Sequence, residues 1–550
     1  MNKKIGKVLS VILVVGLLYA GFTGCTDKNS AAPQKNTIKP NQQQSADPKE
    51  KDPYAPVEGK KYKISWTAYQ KAPTDPDGEM IRYYEDMFNV DIDVWNLEYD
   101  KYEKMLDLRL AAGEIPDLFR IQNPDSLPKY AAQGVLAELP MEVFKKYAPN
   151  ILKVTEDNAP GFFNYGKVNG KLYAMPSVSQ TNIFRLPIVY RKDWMENVGV
   201  TKVPETLEEF EALMYKFAKE DPDGNGKDDT YGLSQDGMSV VFGAFGGVPQ
   251  RDYWVEKDGK PVYTGTMPEM KQALALLHKW YKDGILDPEF ITGENYGGYW
   301  AISHSFINGR VGMTARGNYY HWLKKGDYVI KDKNGNLIEN EPGPIMQEML
   351  SINPDVEIAF GQPPAGPGGI RGVMQYNRLM NFYGIGALAQ NEPGKVAKIL
   401  QIMDYVSAHP DPTVRVTAMY GIEGKHWRWV DKEHEDFTLI GKWADDHTYV
   451  SRIGACIGMT VPFPLKAARE QWAYKNGFDK YGIESIIQVA TPTMSKYKSK
   501  LEKIREEAYI AIITGDKPID YFDEFVERYN AAGGTEVERE INEWYQTHRQ

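Results

Sequence analysis

From Lys61 onward the chain alternates short apolar runs with longer amphipathic ones. "KYKISWTAY" (61–69) predicts a strand, "GEMIRYYEDMF" (78–88) a helix and "VDIDVWNL" (90–97) a second strand. "YEKMLDLRLAAGEIPDLFRI" (102–121) predicts a helix ending near Gly113, a turn, and a third strand at Leu118 to Ile121. That unit is βαβαβ, the grammar of layered α/β architectures. A second series starts near Leu186, where "LPIVYRKDWMENVG" reads as strand then helix. In "PETLEEFEALMYKFAKED" a capped helix carries apolar residues at Leu207, Phe210, Leu213 and Phe217. Two such series in a chain of this length predict two lobes, and no fixed-period repeat is visible.

The N-terminus follows other rules. Lys3, Lys4 and Lys7 precede an apolar run from Val8 to Ala20, and small residues lead to Cys25. The run is shorter than the roughly 20 residues a membrane span needs, so residues 1–24 read as an export signal. Phe22-Thr23-Gly24-Cys25 resembles a bacterial lipobox, with Phe22 in place of the usual Leu, which makes Cys25 the candidate lipidated residue. Residues 25–60 are polar and rich in Pro, Gln, Asn and Lys, with little to bury. About 35 such residues have a reach of about 30 Å, a leash that holds a domain clear of lipid headgroups.

Composition narrows the chemistry. The 550 residues carry 65 Lys and Arg against 75 Asp and Glu, a net charge of −10, so the basic footprint of a nucleic-acid binder is absent. There are two cysteines, Cys25 and Cys456; with the first lipidated, no disulfide forms within the chain. A body of this size needs none. The sequence contains no Walker A run, no His-Glu-x-x-His, no Gly-x-Ser-x-Gly, and its eight histidines show no ligand spacing. "YGIGALA", with Gly384, Gly386 and Ala389, misses the dinucleotide fingerprint and reads as a strand returning to the first lobe.

One loop has the spacing of a calcium site. In "DPDGNGKDDTYG" (221–232), oxygen-bearing side chains fall at alternate positions, Asp221, Asp223, Asn225 and Asp229, with Gly226 sixth and the Lys227 carbonyl seventh. Ca²⁺ takes six to eight oxygens, and a chain wrapping an ion supplies them at that interval. Gly232 stands where an EF-hand has its bidentate Glu. The other reading is a solvated Asp/Asn/Gly turn.

Several motifs resemble extracellular solute-binding protein family 1, in its Gram-positive lipoprotein branch for carbohydrate uptake, and alginate-oligosaccharide-binding proteins within it. They are "AAGEIPDLF" (111–119), "GVLAEL" (134–139), "NGKLYAMP" (169–176), "YRKDWMENVG" (190–199), "FINGRVGM" (306–313), "YGIEGKHW" (420–427) and "GDKPIDYFDEFVERYNAAGG" (515–534). The resemblance covers about Tyr62 to Tyr545. It implies an α/β, two-lobed periplasmic-binding-protein-like fold (type II) with a sugar-binding cleft between the lobes and no enzymatic activity. Structural Ca²⁺ would be held by Asp221, Asp223, Asn225, Lys227 and Asp229. The implied division is 61–183 and 376–460 in the first lobe, 184–375 in the second, and 461–550 as C-terminal helices mainly in the second. The protein would be a monomer, lipid-anchored outside the bacterial membrane, passing an oligosaccharide to the permease subunits of an ATP-binding-cassette importer.

Sugar recognition requires flat aromatic faces and polar groups for vicinal hydroxyls. The candidate contacts are Trp66, Tyr69, Arg191, Asn318, Tyr319, Trp322, Arg371 and Trp427. Arg185, Arg191, Arg371 and Arg428 could pair with a uronate carboxylate. Two other functions stay open: a secreted glycoside hydrolase, which needs two carboxylates across a cleft, and a wall-attached adhesin. Saturable sugar binding without turnover separates the first reading from both.

Overall fold

The computed structural model describes residues 52–179, 186–249, 252–291, 304–331, 336–444, 446–455 and 457–548. The export signal, Cys25, the polar leash to Lys51, Arg185 and Cys456 lie outside them. In chain order the first series is β1 (Tyr62–Ala68), α1 (Glu79–Phe88), β2 (Val90–Asn96), α2 (Tyr102–Ala111), β3 (Leu118–Ile121) and β4 (Ala174–Val178). A second follows with β5 (Ile188–Arg191), α3 (Leu207–Lys219), α4 (Pro268–Lys282), β6 (Met313–Thr314) and β7 (Ile358–Gly361). The chain then runs through β8 (Leu379–Ile385), α5 (Pro393–Ala408) and the hairpin β9 (Trp427–Asp431) and β10 (Asp436–Leu439). It ends in α6 (Ala468–Lys475), α7 (Pro492–Thr514), α8 (Tyr521–Tyr529) and α9 (Thr535–His548).

The first sheet has the order β2-β1-β3-β8-β4. β1 pairs in parallel with β2 from Tyr62↔Val90 to Ala68↔Asn96, and with β3 at Trp66↔Leu118. β8 is antiparallel to both neighbours, Phe382↔Ile121 on one side and Tyr383↔Met175 on the other. The two glycines of "YGIGALA" are packing residues: a Cβ at Gly384 would come within 2.4 Å of the Leu136 side chain, and one at Gly386 within 2.1 Å of the Pro116 carbonyl oxygen. This strand does return to the first lobe. One face of the sheet buries Ile64, Trp66, Leu118 and Ile385 against Ile81, Phe144 and Ile399.

The second sheet, β6-β5-β7, is antiparallel, with Met313↔Tyr190 and Gly361↔Ile188. Its core gathers Trp194, Phe210, Phe217 and Trp280 with Ile512 and Phe525 of the C-terminal helices. In α3 the apolar residues at helical spacing, Leu207, Phe210, Leu213 and Phe217, are all buried. Thr206 caps that helix: its Oγ1 accepts the Glu209 N–H (3.2 Å) while Glu209 accepts the Thr206 N–H (3.3 Å).

The chain passes between the two cores repeatedly, and the passages are tied together. The Ser179 N–H donates to the Arg378 carbonyl (2.7 Å) and the Val178 N–H to the Thr460 carbonyl (3.0 Å). Because β5 is antiparallel to β6 and β7, the residues that follow β6 and β7 lie at the end of the second sheet where the chain arrives from Ser179. In the first sheet β1, β2 and β3 all end on one edge. These two edges carry the candidate site.

Trp66 is a core residue at 3% exposure, while Tyr69, three residues on, is half-buried beyond the strand. Trp66→Ala is therefore expected to lower the unfolding free energy by about 3–5 kcal/mol, and Tyr69→Ala by only about 1 kcal/mol. Urea unfolding checks this; equal losses contradict the assignment.

Candidate ligand-binding site

In the first sheet β1 connects through α1 to β2 on one side, whereas the chain leaving β3 runs toward the other. The crevice beyond the C-terminal ends of β1 and β3 is thus the topological switch point, where open α/β sheets bind ligands. Tyr69 follows β1 directly and Gln122 follows β3. They line a cavity of about 410 Å³ with Tyr99, Asp100, Lys101, Tyr102, Glu103 and Lys104. The strand ends are fixed by hydrogen bonds, Thr67 Oγ1 to Tyr102 Oη (2.8 Å) and Tyr102 O–H to the Arg120 carbonyl (3.0 Å).

The Tyr69 ring sits in a tight aromatic setting, 4.6 Å from Tyr99 and edge-on to Tyr102 at 5.1 Å. The Arg120 guanidinium lies over it, 4.4 Å from the centroid. Burial, with the adjacent Tyr99 hydroxyl, pushes the Tyr69 phenol up to about 12, so at neutral pH it is a protonated donor. Arg120 donates from Nε to Gln122 Oε1 (2.7 Å). Sequence reasoning missed Arg120, Gln122 and Tyr99; the signal available was their position at the ends of predicted parallel strands.

On the second lobe, β6 runs into Ala315–His321. Arg316 stands 3.7 Å from the buried Asp236 carboxylate. Asn318 caps the turn that follows: its Nδ2 donates to Tyr320 Oη (3.0 Å), and its N–H donates to His321 Nδ1 (3.3 Å). Burial, then the charge of Arg469, pulls the His321 pKa down, which keeps the ring neutral. Tyr319 donates to Glu470 (3.2 Å) and stacks at 6.4 Å on Trp472, and Arg469 covers the Tyr320 ring at 4.9 Å.

The structure divides the residues expected to touch a sugar. Tyr69, Asn318 and Arg371 lie on loops that follow strands of the two sheets. Trp66, Trp322 and Trp427 are 3%, 0% and 0% exposed, so no ring face is left for a pyranose, and they leave the candidate set. Trp322 Nε1 donates to the Arg316 carbonyl (2.8 Å) and Trp427 Nε1 to that of Gly421 (2.5 Å), which makes both struts of their loops. Arg191 is buried, chelates Asp193 and stacks on Trp194 at 4.6 Å, so its charge is spent internally. Tyr319 is buried against Trp472. Arg371 donates to the Pro363 carbonyl (3.4 Å), and Arg428 is half-buried in the β9–β10 hairpin.

The 221–229 loop holds the expected calcium donors in a hydrogen-bonded arrangement centred on Asn225. Its Nδ2 donates to Asp223 Oδ2 (2.7 Å) and Asp229 Oδ1 (3.2 Å), while the Asn225 and Gly226 N–H groups donate to Asp221. Burial, with the carboxylates of Asp221 and Asp229 adding to it, raises the Asp223 pKa. Gly232 leaves no room for a twelfth-position ligand, because a Cβ there would meet Met214 at 2.8 Å. Thr230 is committed to the Phe217 carbonyl (2.8 Å). The donor set therefore fits an oxygen-seeking ion in its chemistry, with donors from five residues. Among the described residues no group of three or more His, Cys, Asp or Glu is gathered in metal-holding geometry.

Comparison with known proteins adds the family. Residues 79–335 match the model described as bacterial extracellular solute-binding protein. The polygalacturonan/rhamnogalacturonan-binding protein YtcQ of Bacillus subtilis is 26% identical over 510 residues, covering 88% of this chain and 91% of YtcQ. Lipoprotein LipO of the same organism is 23% identical over the whole of both chains. Among solved structures, alginate-binding protein AlgQ2 without calcium ion superposes with a TM-score of 0.59 at 14% identity, covering 90% of this chain and 99% of that one. An EF-hand mutant of the Streptococcus pneumoniae ABC-transporter substrate-binding protein FusA, in complex with fructo-nystose, gives 0.58 at 16%, covering 89% and 99%. The two structures establish the same two-lobed α/β fold. YtcQ, AlgQ2 and FusA are named as binding proteins, and none of the relatives supports the hydrolase alternative. With its own switch-point cavity at the strand ends, the chain is similar, over residues 79–335, to the bacterial extracellular solute-binding proteins.

Proposed function

We propose that this protein captures an oligosaccharide outside the bacterial membrane and delivers it to the permease subunits of an ATP-binding-cassette importer. The observation that carries this reading is the switch-point cavity, which combines aromatic rings with hydroxyl, amide and charged groups at the strand ends of the first sheet. Relatives named for polygalacturonan/rhamnogalacturonan and, among ABC-transporter substrate-binding proteins, for a complex with fructo-nystose support a carbohydrate as ligand. Asn318 and Arg371 on the second lobe are the contacts retained from the sequence, and Tyr69 on the first lobe lines the cavity. The lobe limits near 183, 375 and 460 are supported by the change of core at those points.

The anchoring follows the same reading. Cys25 carries lipid, residues 26–51 act as the leash, and the body works as a monomer on the outer face of the membrane. The leash is shorter than the sequence suggested because Asp52 bonds to Lys146 and Tyr147 and Lys60 pairs with Glu392. The lipoprotein name of LipO supports a tether. Among the described residues no helix is long and apolar enough to cross a membrane.

We also infer that Asp221, Asp223, Asn225, Asp229 and the Lys227 carbonyl hold Ca²⁺ as a structural staple between α3 and the strand-like segment after it. The ion would replace the Asn225 amide between the carboxylates and relieve their crowding, with water completing the shell. It would take no part in the ligand chemistry.

Two outcomes are expected. Thermal melting against neutral and uronate oligosaccharides should show one class raising Tm by mass action, with no new reducing ends after prolonged incubation; reducing ends from the same glycan would make the protein a hydrolase. Millimolar Ca²⁺ should raise Tm and chelator reverse the rise, and the double variant Asp223→Ala, Asn225→Ala should lose the shift; a retained shift removes calcium from this loop.

A further inference from the structure

Arg120 differs from most interior arginines of this protein. Arg191, Arg310, Arg415, Arg469 and Arg505 each have a carboxylate within 4.0 Å. Arg120 has none among the described residues, and its single side-chain hydrogen bond uses Nε. Neither Nη group has a hydrogen-bond partner among the described residues. Arg371, Arg378 and Arg428 also lack a carboxylate among the described residues; the Nη groups of the first two donate to the carbonyls of Pro363 (3.4 Å) and Asn158 (3.1 Å), and Arg428 lies in the β9–β10 hairpin. A half-buried guanidinium is held here with its plane against Tyr69, its Nε on Gln122 and its outer fork open.

Among the described residues, none of the nearby acids is ion-paired with it. Glu98 is paired with Lys101 (2.8 Å), and Glu103 accepts the Asn123 N–H (2.9 Å). The Tyr69 ring, covered by Arg120 on one side and crowded by Tyr99, has no free face for a sugar, so its part is to fix the guanidinium. Partial removal of a cation from water without a counter-charge costs free energy, and the cation–π contact offsets part of it. An open guanidinium fork in a fixed plane is the arrangement that receives a carboxylate through two parallel N–H···O bonds.

We propose that Arg120, positioned by Tyr69 and Gln122 beside the switch-point cavity that those two residues line, binds the carboxylate of a uronate residue, which makes the ligand an acidic oligosaccharide. This rests on the oligosaccharide reading above and adds the class of sugar. Arg120 is the contact, and Tyr69 and Gln122 are positioning residues.

The test is titration calorimetry on the full-length chain in detergent with galacturonate and mannuronate tetramers, each beside its carboxyl-reduced neutral counterpart. At least one acidic tetramer should bind 10-fold or more tighter than its neutral partner, with an affinity that falls as salt is raised. Arg120→Gln should weaken the acidic ligand about 10- to 100-fold and leave the neutral one unchanged. Arg120→Lys, which keeps the charge but not the fork, should recover only part, and Tyr69→Ala should weaken the acidic ligand selectively. Acidic and neutral tetramers binding alike, or Arg120→Gln binding the acid normally, overturns the inference. A neutral glycan bound with no acidic one defeats it while the oligosaccharide reading stands; no glycan bound defeats both.

Discussion

Strand β8 sits antiparallel between β3 and β4, and its backbone hydrogen bonds close the first sheet with a segment that enters only after most of the second lobe has been traced. Without Phe382↔Ile121 and Tyr383↔Met175, β3 and β4 would be open edges, and the first lobe would lack the wall that meets Ile385 and Leu118 in its core. This pairing forces the chain to leave the first lobe after β4 and return at β8, so the passages between lobes lie side by side at Ser179 and Arg378. The backbone has almost no freedom here: Gly384 and Gly386 are glycines because Leu136 and Pro116 occupy the space of a Cβ. From this one constraint follow the two facing edges, the switch point between β1 and β3, and the cavity that fills it.

At that cavity the protein departs from its own habit of pairing interior charges. Elsewhere arginines chelate acids, as Arg191 does Asp193 and Arg310 does Asp287. An ion pair so satisfied can brace a loop but has little left for a ligand. Arg120 is oriented by an aromatic face and an amide, which fix direction without cancelling charge. The same contrast separates rings: Trp66, Trp322 and Trp427 contribute burial and struts, whereas Tyr69 contributes orientation.

The local part of the fold was legible in the sequence. The βαβαβ unit from Tyr62 to Ile121 and the α3 helix were readable because their signals, strand-length apolar runs and Leu207, Phe210, Leu213 and Phe217 at helical spacing, involve residues close along the chain. The partners of β8 were not readable, since they lie some 200 or more residues away; only the resemblance to a family and the failed dinucleotide motif pointed there. The site was partly legible for the same reason. Trp66 and Tyr69 are three residues apart, and composition gives no means of telling a ring inside the sheet from one past its end. The open fork of Arg120 is the absence of a neighbour, a property that exists only once the chain has folded.

The most direct measure of this account is hydrogen–deuterium exchange on the full-length chain with and without a bound oligosaccharide. The account predicts simultaneous protection at the strand ends of both lobes, residues 69–70, 97–104 and 120–123 in the first and 315–321 in the second, with the 221–229 loop unchanged by the sugar. Protection confined to one lobe, or centred away from these strand ends, would contradict it.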